Sequence, residues 1–153
     1  LKKSNPNLKL HMIGKLQSNK VKNAVEIFDY IHSLDNQKLA DVLARNQANL
    51  GKKLKYFIQV NIGNETQKSV IPVNELDAFY QYWTNDKNLE ILGIMTLTTN
   101  DQNPKKYFKA LNELNSSLAL TELSMGMSSD YAEAVLHGAT YIRVGSLIFG
   151  DRI

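Results

Sequence analysis

Short apolar runs alternate along this chain with longer stretches in which apolar residues recur every three or four positions. The first run, Leu8–Ile13, predicts a strand closed by Gly14. A short helix is expected around Asn19–Val25, followed by a strand over Ile27–Ile31. Ser33 stands where a helix N-cap belongs, and Leu39, Val42 and Leu43 share one face of a helix from about Asp35 to Asn49, closed by Gly51. Tyr56–Asn61 predicts a buried strand, and Pro72 opens a helix carrying Leu76, Phe79, Tyr80 and Trp83 at helical spacing. Leu89–Met95 predicts another strand, and Pro104 opens a helix through about Ser117. Thr121–Met125 is a further strand, Asp130 caps a helix ending at Gly138, and Thr140–Val144 is the last strand.

Strands separated by helices are the pattern of βαβ units and a parallel sheet, so the fold class is α/β. Parallel strands require crossovers that cover the sheet, which leaves a doubly wound open sheet or a β/α barrel. His11, His32, Asn61, Thr96, Ser124 and Arg143 fall at or near the C-terminal ends of strands. In a barrel that rim carries the chemistry. At 153 residues, with no linker or low-complexity stretch, residues 1–153 are expected to form a single domain.

Charge narrows the function classes. The excess of 18 basic over 15 acidic residues is small, and the lysines are scattered apart from short clusters such as Lys2-Lys3 and Lys105-Lys106. A nucleic-acid partner would call for a concentrated basic face, so none is expected. No apolar run reaches the length that crosses a bilayer, and Leu1–Asn7 has no apolar signal core, so a cytoplasmic protein without membrane attachment is expected. The chain has no cysteine, which excludes disulfides and thiolate chemistry. No histidine and carboxylate group has metal-ligand spacing.

The segment Arg143–Gly150 is the most informative. Gly145-Ser146 follows a strand and opens a short turn, where glycine lets backbone N–H groups approach an anion and the serine adds a donor. A plain strand-to-helix turn is the alternative. Leu123–Asp130 places hydroxyls and a glycine after the preceding strand. Ser124 is the better ligand candidate there, and Ser128 and Ser129 are either further ligands or caps of the following helix. Arg143 shares a strand face with Gly145, and a guanidinium in a barrel mouth needs an acceptor, from a ligand or a carboxylate. His11 is either a general base or a hydrogen-bonded structural residue, and His137 sits in the last turn of a helix, where the dipole accounts for it.

The strings His11–Lys20, Ile31–Asp35, Ile58–Ile62, Gly93–Thr96, Leu123–Ser128 and Arg143–Gly150 occur in an order that resembles the pyridoxal-phosphate (PLP) homeostasis protein family, relatives of the alanine racemase barrel domain. The resemblance runs over essentially the whole chain. It implies a (β/α)8 TIM-type barrel with PLP in its mouth, held as a Schiff base by a lysine on an early strand. The phosphate ligands it implies fall on Ser124, Gly145 and Ser146, and the arginine facing the pyridine nitrogen falls on Arg143. An arginine there weakens the electron sink of the ring, which fits a cofactor carrier or reservoir rather than an enzyme.

Departures from the family pattern are specific. The early strands with the Schiff-base lysine have no counterpart, so the chain is expected to supply strands three to eight of the barrel. It would then be a fragment or a truncated product that needs the missing N-terminal segment in cis or in trans, and a monomer when intact. Lys15 stands where the family has histidine, Val70 where it has glycine, and Thr98 where it has proline. An amino-acid racemase-like enzyme and a decayed, inactive product are the competing readings.

Overall fold

The computed structural model describes residues 4–62, 71–97 and 103–150. Val70 and Thr98 lie outside the described residues. Six parallel strands alternate with helices: β1 (His11–Met12), α1 (Val21–Ile27), β2 (Tyr30–Leu34), α2 (Gln37–Leu50), β3 (Lys55–Gln59) and α3 (Leu76–Gln81). They continue with β4 (Glu90–Met95), α4 (Pro104–Ser117), β5 (Glu122–Met127), α5 (Tyr131–Leu136), β6 (Tyr141–Arg143) and α6 (Ser146–Phe149). The strands pair in chain order from β1 to β6.

Alternation along the strands sorts the side chains onto two faces. Ile31, Tyr56, Ile58, Ile91, Ile94, Leu123 and Met125 join one buried cluster with helix residues Val25, Leu39, Leu43, Leu76, Phe108, Leu111 and Ala134. Each large side chain buried there stabilises the fold by roughly 1.5–3 kcal/mol. Phe57 and Met95 are equally buried but stand outside that cluster, on the opposite face.

The opposite face is concave. The Tyr141 ring of β6 lies 5.1 Å from Phe57 on β3 and 5.8 Å from both His11 on β1 and His32 on β2. In a flat sheet, strands about 4.8 Å apart would hold β1 and β6 about 24 Å from each other. The sheet is therefore curled, and the fold is a partial TIM-type barrel with helices outside and a filled interior. Gly93 permits the close approach of β4 to β5, since a Cβ there would meet the Glu122 carbonyl oxygen at 1.7 Å.

Several element boundaries differ from the expected ones. Only His11–Met12 forms the first strand. Leu10 is tied to Asp29 instead, its N–H donating to Asp29 Oδ2 at 2.9 Å and its carbonyl accepting from Asp29 N. The second strand starts at Tyr30 because Ile27 is the last residue of α1 rather than the first of a strand. Two apolar residues in sequence, Ile27-Phe28, fit either element, and helical packing of Val21, Ala24 and Val25 decides it. Ser33 accordingly lies inside β2 and donates to the Gly14 carbonyl at 2.8 Å. Asn36 caps α2 instead, accepting from Leu39 N at 2.8 Å, while Gly51 closes the helix in the left-handed conformation. The helix expected after Pro72 begins as a 3-10 turn, Val73–Glu75, and ends in a π turn, Tyr82–Asp86.

Candidate functional site

The curl brings a continuous line of polar side chains together inside the partial barrel. Arg143, at the end of β6, donates from Nη1 to Ser124 Oγ at 2.8 Å and from Nη2 to the Thr96 carbonyl at 2.6 Å. Its Nε–H points to Met127 Sδ at 3.4 Å. Ser124 Oγ lies 2.8 Å from His32 Nδ1, and His32 Nε2 lies 3.0 Å from His11 Nδ1. His32 stacks on Phe57 with ring centroids 4.3 Å apart, and His11 stacks on Tyr30 at 4.1 Å. The line therefore crosses from β1 through β2 and β5 to β6 and ends on the carbonyl after β4.

Burial governs the electrostatics of this line. His32 is only 2% exposed, and its pKa is held down to about 3, by desolvation first and then by the neighbouring His11 and the charge of Arg143. Desolvation also lowers the pKa of His11, against the opposing pull of Asp29. Both rings are neutral at pH 7. Arg143 is pushed down to about 10 by burial, against the favourable charge of Asp130, and so keeps its proton. The acceptors bonded to its guanidinium, a hydroxyl, a carbonyl and a thioether, are all neutral. The N–H donors not used in these bonds remain for an anion or a lone pair, beside the charge of Asp130.

The turns after β5 and β6 meet directly. Gly145 N donates to Ser128 Oγ at 3.0 Å. Among the described residues, and apart from its own chain neighbours, nothing lies within 4 Å of where a Cβ on Gly145 would stand. Ser146 opens α6, whose first N–H groups have no carbonyl earlier in the helix to bond. Ahead of that turn, Gly126 has φ +93°, and a Cβ there would meet Ala134 Cβ at 2.6 Å. Only glycine lets α5 settle this closely on β5 and carry Ser128 toward Gly145.

Of the residues singled out from sequence, Arg143 and Ser124 are bonded to each other inside the barrel, whereas Gly145 and Ser146 are exposed at the following turn. Ser128, read from sequence as either a ligand or a helix cap, accepts from Gly145, and Asp130 at the N-cap position turns its carboxylate back to Met127 N. The signal for Ser128 is the strand end: β5 runs to Met127, so Ser128 is the first residue beyond it. His32 and Ser124 sit within their strands rather than at the ends, and the partners that mark them lie across the barrel. His137, at the end of α5, bonds through Nδ1 to the Glu133 carbonyl at 2.9 Å, within its own helix.

Residues 1–153 match the family described as alanine racemase, N-terminal domain. The pyridoxal phosphate homeostasis protein of Synechocystis sp. is 42% identical over 153 residues, an overlap of 94% of this chain and 70% of that protein. This chain belongs to the pyridoxal phosphate homeostasis protein family. The family member from Aquifex aeolicus is 38% identical, over 95% of this chain and 68% of its own length. The structure of PipY from Synechococcus elongatus PCC7942 with PLP bound superimposes with a TM-score of 0.89 at 36% identity, covering 97% of this chain and 74% of PipY. Alanine racemase of Clostridium difficile 630 shares the fold, with a TM-score of 0.74 at 12% identity. The partial barrel thus follows the PipY fold over the 74% of that chain that it covers.

Proposed function

We propose that this chain supplies the phosphate-facing and ring-facing part of a PLP site and serves intracellular PLP homeostasis as a carrier or reservoir, not as a catalyst. The observation that carries the reading is Arg143, a buried cation whose hydrogen bonds among the described residues go to a hydroxyl, a carbonyl and a thioether, two residues before the Gly145 turn. Those residues fit a ligand with an anionic end and an aromatic nitrogen. The naming of relatives for PLP homeostasis and the PLP-bound PipY structure support the same ligand.

In this reading the Ser146 backbone N–H and the hydroxyls of Ser128 and Ser146 hold the phosphate at the Gly145 turn. Arg143 faces the pyridine nitrogen, and Ser124 belongs to the site through its bond to that arginine. When bound, PLP supplies an electron-poor ring. Arg143, with its pKa near 10, donates a hydrogen bond at neutral pH without giving up its proton, so it leaves the ring nitrogen uncharged. That arrangement weakens carbanion stabilisation and favours holding the cofactor over amino-acid chemistry. The N-terminal strands of the barrel, with the family's lysine, complete the site of a cytoplasmic monomer.

Equilibrium binding of PLP to this chain, followed by fluorescence with inorganic phosphate as competitor, tests the reading. Phosphate is expected to compete, and the double variant Arg143→Ala with Ser146→Ala to bind at least tenfold more weakly, about 1.4 kcal/mol. Unchanged binding by that variant would refute the site. Racemisation or transamination of alanine at roughly 1 per second or faster, in a protein with its N-terminal strands, would refute the carrier role.

A further inference from the structure

We propose that His32 is a positioning residue for Arg143: acting through Ser124, it sets the direction in which the guanidinium presents its remaining N–H groups to the ligand. This role rests on the PLP-binding reading and deepens it. A guanidinium has five N–H donors, and three of them are directed to Ser124 Oγ, the Thr96 carbonyl and Met127 Sδ. The rest are aimed by whatever fixes those three.

The Thr96 carbonyl is fixed by backbone pairing, since Thr96 N donates to the Ser124 carbonyl at 3.2 Å. Ser124 Oγ is different, because a hydroxyl rotates unless its hydrogen has a defined acceptor. With Arg143 donating to Oγ, the Ser124 hydrogen must point elsewhere, and His32 Nδ1 at 2.8 Å is the acceptor. The reverse direction, with Nδ1–H donating to Ser124, would bury the hydroxyl hydrogen without an acceptor among the described residues. His32 therefore carries its proton on Nε2 and donates it to His11 Nδ1, 3.0 Å away. The His32 plane is held in turn by stacking on Phe57, with an interplanar angle of 19°. A neutral, immobile ring thus draws the Ser124 hydrogen away from the cation and turns the oxygen lone pairs toward it.

NMR of the 15N-labelled chain without ligand reads this directly from the Arg143 guanidinium signals. His32→Leu keeps the bulk and removes the acceptor, whereas His32→Asn returns an acceptor close to the Nδ1 position. In His32→Leu the guanidinium protons are expected to exchange with water about tenfold faster and their signals to move, with substantial recovery in His32→Asn. Unchanged guanidinium signals in His32→Leu would overturn the proposal. Should that variant not fold, Ser124→Ala severs the same link and is expected to give the same loss, and unchanged signals there would overturn it equally.

Binding supplies the second arm. His32→Leu is expected to weaken PLP about tenfold and inorganic phosphate less than about twofold. In an Arg143→Gln background, His32→Leu is expected to have no further effect on PLP. An equal effect of His32→Leu with and without Arg143 would sink the link between them. If Arg143→Gln itself leaves PLP affinity unchanged, the PLP reading falls, and the guanidinium signals alone decide whether His32 positions Arg143.

Discussion

Acidification is expected to destabilise this fold through His32 in a way that a single substitution can isolate. The folded-state pKa is about 3, and the unfolded value is near the usual 6.5. Between those values the unfolded chain binds the proton and the folded chain does not, so stability falls as pH drops below about 6.5 and stops falling near pH 3. Each pH unit inside that window corresponds to about 1.4 kcal/mol. His32 alone therefore removes about 2 kcal/mol at pH 5 and about 3 kcal/mol at pH 4.5. Desolvation of His11 acts in the same direction, and the raised pKa of Asp35, caused mainly by its burial, acts in the opposite one. Comparison with His32→Asn, which has no titrating ring at that position, cancels the part of Asp35 and isolates His32 together with its bonded neighbour His11. Urea unfolding at pH 7 and pH 5 is the assay. With a slope of roughly 2 kcal/mol per molar urea, the wild-type midpoint should fall by about 1 M more than that of the variant. Parallel midpoint shifts in the two proteins would refute a neutral, buried His32.

Three further outcomes follow from packing. Gly93→Ala is expected to abolish soluble folded protein, checked by circular dichroism, because its Cβ would overlap the Glu122 carbonyl oxygen with backbone on both sides. Asn115→Leu should destabilise by about 2–4 kcal/mol in chemical denaturation, since Asn115 Oδ1 accepts from Ile94 N and its Nδ2 donates to the Leu120 carbonyl, both inside the fold. The chain by itself is expected to self-associate in sedimentation experiments, because among the described residues β1 and β6 end the sheet with unpaired outer edges beside half-exposed Ile13 and Ile142. A soluble monomer that unfolds cooperatively would contradict this.

The order of strands and helices was legible because each helix declares one apolar face and each strand a short apolar run. Boundaries were less so where one run serves either element, as at Ile27-Phe28, or where a cap has a near rival, as with Ser33 and Asn36. The site divided along the same line. Arg143, Gly145 and Ser146 stand in one short segment, so their proximity could be read from the chain itself. The tie from Ser124 to His32 could not, because neighbours in a curled sheet are set by closure across the barrel and leave no periodic mark. Ser128 stayed open between ligand and cap for a local reason: the strand runs two residues further than expected, which moves that serine from a helix start to the rim.

Chain-order pairing separates the sheet from the site in folding. Each strand reaches its neighbour by closing a loop of one strand–helix unit. The link from His32 to Ser124 spans 92 residues and that from Thr96 to Arg143 spans 47. Loop closure grows more costly by only about 0.6 kcal/mol per doubling of length, but contacts between distant residues slow folding strongly. Strand pairs can therefore form before the polar line across the barrel closes. In refolding, fluorescence of Trp83, packed outside the sheet, should reach its native value ahead of His32, and simultaneous arrival would speak against this order. Closure of the polar line is expected to be the last step of the fold.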